Sequence, residues 1–443
     1  MSTTADPAPP QSDISVVTVN RRRLHPNAVT GIFVVLGVVS IWLQNVLVPF
    51  REPFWGLFDN QLDLEVYRAG ARTVLDGHRL YEAKLLGVMD YTYAPISVVL
   101  FTPVALISFD MARIAWTVAV YVVLYAVIVM SFRALRRPIT WRLRIIAVSL
   151  VAIAALAEPV RSTLWFGQVN IFPMAMILWD LLRPRDSRGQ GFVAGLAAGI
   201  KLTPLIFVAH LLITGRRRAA LTLLAGFAST IAVAAVAMPR DTWTYWSGTF
   251  LDSDRVGSPN VAGNQSLRGA LANLLDSEQP PMAAWLALAL PALALGLCAA
   301  RLAHTRGHEL LALTLIGMTA CVVSPMTWGH HWVWFVPLGV IGVDQLLRTP
   351  VRGRTVVAGI AVGALLLVTF SWRTYIPGLM FYVEVPHLHA YYTGLFFKNG
   401  VAALRWFTVA PYSWVFLVTA VATVLVLRRT PAVTAGLASG PKG

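Results

Sequence analysis

The chain of 443 residues is 57% hydrophobic and only 13% charged, with a mean hydropathy of +0.65, which is more apolar surface than a soluble fold buries. A formal charge of +15 would point to nucleic acid in a soluble protein, but here the arginines stand in short blocks between apolar runs, where they act as topology signals, and no nucleic-acid partner is expected. Cys298 and Cys321 fall in or beside apolar runs, so neither a disulfide framework nor a zinc site is read from them.

Residues 1–28, rich in Pro, Ser and Thr toward the start, are expected to form a disordered cytoplasmic N-terminus without a cleavable signal peptide. The first span, 30–48, follows Arg21-Arg22-Arg23 and reads as a retained anchor. Further apolar runs follow at 93–108, 112–132, 145–157, 171–182, 191–214, 219–238, 283–300, 310–324, 332–347, 355–370 and 406–427. With about 20 residues needed per crossing, an all-α polytopic membrane protein of about eleven to thirteen transmembrane helices is expected. It would form one membrane domain over 29–428, followed by a disordered tail at 429–443. Basic blocks at 133–144, 183–188, 216–218, 301–306, 348–354 and 428–429 mark the cytoplasmic face. The long polar, aromatic-rich loops 51–91, 158–170, 239–282, 325–331 and 372–405 then lie on the outer face. This sorting requires 93–132 to make one net crossing although it holds two apolar runs, so part of it must dip and return. It also suits a pair of half-helices over 191–214, interrupted at Lys201 and Pro204. No repeat at a fixed period is present.

The candidate site residues lie in the outer loops and at that interruption. Asp59, Asp63 and Glu65 crowd the mouth of the first span, and apolar residues at 62, 66, 69, 71, 74 and 75 suit an interfacial helix ended by Gly77. Asp63 then reads either as a helix cap or as a general base for a sugar hydroxyl beside the headgroups. Tyr91 and Tyr93 read as interface anchors or as sugar-stacking groups. Gln168 and Asn170 read as capping residues or as neutral partners for hydroxyls, and Glu65 and Tyr67, in the polar stretch 59–68 with Asp63, are further substrate-binding candidates. Lys201, an ionisable group within a span, reads as a snorkelling lysine or as a cation for phosphate. Asn264 and Arg268 belong to a glycine-flanked polar loop whose arginine suits a second anion. In Trp328-Gly329-His330-His331, the adjacent histidines point apart on a helix and encode no two-histidine metal site. They suit interface packing, or hydrogen bonding and proton handling. In 372–405, Glu384, His387, His389 and Tyr391 are further candidates that the sequence does not rank.

Together, Asp63-Leu64-Glu65-Val66-Tyr67, Gly77, Tyr81, Tyr91-Thr92-Tyr93-Ala94-Pro95, Gly167-Gln168-Val169-Asn170, Lys201-Leu202-Thr203-Pro204 and Ser324-Pro325-Met326-Thr327-Trp328-Gly329-His330-His331-Trp332 resemble glycosyltransferase family 87 over roughly residues 30–430. Single motifs are weak, but their order and spacing are specific. The resemblance implies a C-type glycosyltransferase fold in the plasma membrane with a periplasmic active site. It further implies polyprenyl-phosphate mannose as donor, a mannosylated glycolipid acceptor such as a phosphatidylinositol mannoside, lipomannan or lipoarabinomannan precursor, and inversion at the anomeric carbon. By the same analogy Asp63 is catalytic and the histidine-tryptophan segment lies by the site. Related membrane transferases carry Asp-x-Asp and a divalent cation where this chain has Asp63-Leu64-Glu65, so no metal or other cofactor is expected here. Asp63, or His330 or His331, would deprotonate a mannose 2-hydroxyl while Lys201 and Arg268 neutralise the leaving phosphate. Competing expectations are a transporter or flippase for a lipid-linked sugar, and a transferase of another lipid-linked sugar.

Overall fold

The computed structural model describes residues 25–51, 56–185, 187–348, 352–374, 382–385, 390–395 and 402–429. The N-terminal segment up to residue 24, the tail from residue 430, His387 and His389 lie outside them, as do the side chains of Glu384 and Tyr391. Each apolar run of the sequence is carried by a helix. Four of these helices are long and apolar enough to cross a membrane on their own: Pro26–Leu47, Phe109–Ala134, Arg217–Ala237 and Met282–Thr305. The pair Trp141–Ala154 and Glu158–Phe166 would make a fifth span if counted as one, but bends by 78° at its break. Shorter apolar helices fill the bundle between them, and the outward faces carry exposed valine, leucine, isoleucine and tryptophan, as expected where lipid is the solvent.

The two irregular regions resolve into half-helices. Ile96–Ala105 has ten residues, about 15 Å of rise and half a hydrocarbon core, and it stops before Ser108, whose side chain accepts from Met111 N–H to start Phe109–Ala134. The first is too short to cross on its own, whereas the second is long and apolar enough to do so. Arg68 closes the end of the short helix by donating to the carbonyls of Val104 (2.9 Å) and Ile107 (2.6 Å), and Arg72 donates to Ala105 O (3.2 Å). The second interruption falls where the sequence places it. Phe192–Ile200 ends at Lys201, whose backbone is extended (φ −147°, ψ 128°), and after a 3-10 turn at Thr203–Leu205 the chain resumes as Ile206–Ile213.

What holds the first half-helix is a stripe of small residues at four-residue spacing. A Cβ on Gly191, Gly195 or Gly199 would come within 2.2 Å of Ala219 O, 2.1 Å of Leu223 O and 2.3 Å of Thr230 Oγ1 respectively. The half-helix thus lies directly against the backbone of Arg217–Ala237, a contact that only small residues permit. The loop 372–405 contains a feature the hydropathy pattern does not anticipate, a three-stranded antiparallel sheet. Its central strand Ala390–Thr393 pairs with Trp372–Thr374 on one side and Tyr382–Val385 on the other.

Candidate active site

The Leu62–Leu75 helix lies outside the long apolar helices and carries the first acidic segment. Gln61 fixes its start: the residue is buried with a left-handed backbone (φ 48°), donates its N–H to Trp165 O at 2.8 Å and its Nε2 to Leu164 O at 2.5 Å. Opposite it Gly167, at φ +68°, ends Glu158–Phe166, and a Cβ there would stand 2.6 Å from Gln61 Oε1. The two chain turns are pressed together, which brings Gln168 onto Asp63.

Gln168 is the hub of the site. Its Nε2 donates to Asp63 Oδ2 (2.6 Å), and its Oε1 accepts from Tyr67 OH (3.0 Å), Tyr93 OH (3.2 Å) and Asn170 Nδ2 (3.3 Å). The two phenols also meet each other at 2.9 Å. Asp63 and Tyr67 reach the same partner because they are four residues apart on one helix face, whereas Glu65, two residues on, projects from another face. From Asn170 the network continues: its Oδ1 accepts from Lys201 Nζ at 2.6 Å, and its Nδ2 also donates to His330 O at 3.1 Å. Lys201 Nζ donates in turn to His331 Nε2 at 2.8 Å and lies 5.6 Å from the Tyr93 ring centre. Next to Lys201 is a small cavity of about 40 Å³ bordered by Asn170, Thr203, Thr327, His331 and Cys321.

The segment around His330 is clamped from two sides. The Asn264 side chain ties its own loop to the histidine segment: Oδ1 accepts from Thr327 N (3.1 Å) and Ser266 Oγ (2.8 Å), and Nδ2 donates to Pro259 O (3.0 Å). The Trp328 ring lies within 2.6 Å of where a Gly263 Cβ would be and is nearly parallel to the His330 ring, 6.3 Å away. Beneath the segment sits Glu158, a buried carboxylate that the sequence alone does not single out. Glu158 Oε2 accepts from Tyr412 OH at 3.0 Å and fills the space a Gly329 Cβ would take, 2.2 Å away. His330 Nε2 is buried and has no hydrogen-bond partner among the described residues. Arg268 is half-buried in the first turn of Leu267–Leu275.

The arrangement thus brings Asp63, Tyr67, Tyr93, Gln168, Asn170, Lys201, His330 and His331 into one connected group, with Trp328 against its edge and Asn264 supporting the loop behind it. Burial pushes the Asp63 carboxyl up to about 6, against the lowering effects of the Gln168 hydrogen bond and the more distant Lys201 charge. Burial likewise raises Tyr67, which remains a neutral hydrogen-bonding phenol. A carboxylate poised to take a proton stands at one end of the group and an ammonium at the other, with neutral amides and phenols between them. That suits a reaction in which an alcohol is deprotonated while an anionic group departs.

No solved structure matches the chain. Among curated proteins, the polyprenol-phosphate-mannose-dependent alpha-(1-2)-phosphatidylinositol mannoside mannosyltransferase of Mycobacterium tuberculosis is 35% identical over 311 residues, covering 65% of this chain and 73% of that protein. Its namesake from Mycolicibacterium smegmatis is 34% identical over 349 residues, covering 72% of this chain and 76% of that one. A pentamannoside mannosyltransferase of Mycobacterium tuberculosis is 31% identical, covering 65% and 68%. The family model of glycosyltransferase family 87 matches residues 91–325, a stretch that includes Gln168, Asn170 and Lys201, and with these relatives it shows that the chain belongs to glycosyltransferase family 87.

Proposed function

We propose that the protein is an inverting, polyprenyl-phosphate-mannose-dependent α-1,2-mannosyltransferase, working as a single transmembrane domain over 29–428 in the plasma membrane with its site toward the periplasm. Its acceptor is a mannosylated glycolipid of the phosphatidylinositol mannoside class. Asp63 removes the proton from the acceptor 2-hydroxyl as that oxygen attacks the anomeric carbon, and the bond to the polyprenyl phosphate breaks with its electron pair. Lys201 meets the charge that develops on the phosphate, with His331 holding the ammonium in place. Gln168, Tyr67 and Tyr93 hold the carboxylate, while Asn170 and the Trp328–His330 segment border the sugars.

The observation that carries this reading is the unbroken path from the Asp63 carboxylate through Gln168 and Asn170 to Lys201. The names of the relatives support the donor and acceptor. The test is to incubate purified protein with labelled polyprenyl-phosphate mannose and a phosphatidylinositol mannoside, then determine product mass and linkage. A new α-1,2-mannoside is expected. Label moved across a vesicle membrane with no new glycosidic bond would establish a flippase instead, and competition by another lipid-linked sugar would reassign the donor.

A further inference from the structure

A second group of chemistry-bearing side chains lies at the opposite end of the bundle. Glu309 opens the helix Glu309–Val323, in which Cys321 borders the cavity beside Lys201, so the two residues are about 18 Å apart along the helix at 1.5 Å per residue. Around Glu309 stand His210 from Ile206–Ile213 and His304 from the last turn of Met282–Thr305. One donor atom from each of His210, His304 and Glu309 lies within 4.8 Å of the others. His210 is wholly buried, and neither of its ring nitrogens has a hydrogen-bond partner among the described residues. A buried imidazole idle at both nitrogens is rare, since buried polar groups are nearly always satisfied.

The surroundings are arranged to present ligands. Arg216 donates to Glu309 Oε1 at 2.7 Å and to Leu181 O at 3.1 Å, which orients the carboxylate and leaves Oε2 directed at His304 Nδ1. Ligating carboxylates commonly carry such an outer hydrogen bond. The opposing charges are Arg216, already neutralised by Glu309, and Arg185, which touches His304 Nε2 but is exposed and free to swing into water. Two imidazoles and one carboxylate are the donor set of a borderline transition ion such as zinc, not of calcium or magnesium, which prefer all-oxygen shells.

We propose that His210, His304 and Glu309 form a zinc-class metal site that pins together three helix ends on the side of the bundle away from Asp63. The ion inserts between His304 Nδ1 and Glu309 Oε2 and takes a lone pair of His210, with water completing the shell. The His304 proton moves from Nδ1 to Nε2, and Arg185 withdraws. Neither cysteine takes part. The site is independent of the transferase chemistry, so its test needs no activity assay.

The test is to purify the full-length protein in detergent through a tag without histidine, load it with Zn²⁺ or Co²⁺, dialyse it and measure bound metal, the visible ligand-field band of Co²⁺, and melting temperature with and without chelator. The wild type is expected to hold about one ion per chain, to show a four-coordinate cobalt band and to melt lower after chelation. His210→Ala breaks no side-chain hydrogen bond among the described residues and should weaken binding roughly tenfold or more, while Arg185→Ala should tighten it. A wild type with no cobalt band, or a His210→Ala protein that binds as the wild type does, would overturn the site. The wild-type measurement decides the matter even where a variant fails to fold.

Discussion

In the proposed mechanism Asp63 has a task that its surroundings make easier. A general base works best when its pKa lies close to the working pH, and burial brings this carboxyl from an ordinary value of 3.8 to about 6. Transfer should therefore rise with pH through about 6 and level off above it, and a profile flat from pH 5 to 8 would remove Asp63 as the base. The same shift has a consequence for folding. Because the folded pKa is raised, the stabilisation of the protonated form is complete below 3.8 and is lost as pH climbs through 6, leaving an ionised carboxylate that the fold tolerates at a cost. Asp63→Asn removes that cost while its amide oxygen can still accept from Gln168. We expect it to lose about 10²- to 10⁴-fold in turnover and to melt at the same or a higher temperature than the wild type. A variant that loses activity only because it melts early would contradict this account. Lys201→Met at the other end of the network should depress turnover by about 10²- to 10³-fold and weaken capture of the phosphate-bearing donor more than that of the acceptor. Equal weakening of both substrates in binding measurements would detach Lys201 from the phosphate.

Lys201 occupies its place because of the element that precedes it. The extended residue follows a nine-residue half-helix whose Gly195 lies on the backbone, and whose Gly199 lies on the Thr230 side chain, of Arg217–Ala237, so anything that lifts the half-helix also moves the ammonium. Gly195→Ala puts a methyl group 2.1 Å from Leu223 O, a backbone atom that cannot step aside as a side-chain tip would. A loss of about 1–3 kcal/mol is expected from such overpacking, together with reduced transfer. Gly31→Ala, in a helix where the added methyl group meets nothing within 4 Å, is the matched control and should be neutral or stabilising by about 0.5–1 kcal/mol. Thermal melts of the two variants side by side check both. The break at Lys201 was legible in the sequence because a charge and a proline inside an apolar run leave few other outcomes. The spacing of Gly191, Gly195 and Gly199 was equally visible but says nothing until the partner helix is known. Asp63 with Tyr67 could be placed on one helix face from spacing alone, and Glu65 on another. Gln168 as the hub could not, since three of its four partners, Asp63, Tyr67 and Tyr93, lie 75 to 105 residues away along the chain. Glu158 and His210 escaped for a related reason: each takes its meaning from chain that is far away in sequence.

At the scale of the whole molecule, charge and chemistry separate along the bundle. Helices that begin at the site, such as Ile171–Leu181 after Asn170 and Ile206–Ile213 after Lys201, run toward arginine-bearing ends, and Glu309–Val323 runs back from that end to Cys321. Arg183, Arg216, Arg217, Arg218, Arg301 and Arg306 thus gather opposite to Asp63. The positive-inside rule then sets the orientation, because short arginine-rich loops stay on the cytoplasmic side. In the orientation we propose, Asp63 lies at the outer leaflet, where a lipid-linked donor and a glycolipid acceptor can both arrive laterally. Single cysteines introduced into a Cys298→Ser, Cys321→Ser background test this directly. Val88→Cys, exposed in the loop after the Leu62–Leu75 helix, should react with a membrane-impermeant maleimide on intact cells. Arg218→Cys should react only after the membrane is opened. The reverse pattern would put the carboxylate on the cytoplasmic side, away from the leaflet where the proposed acceptor lies.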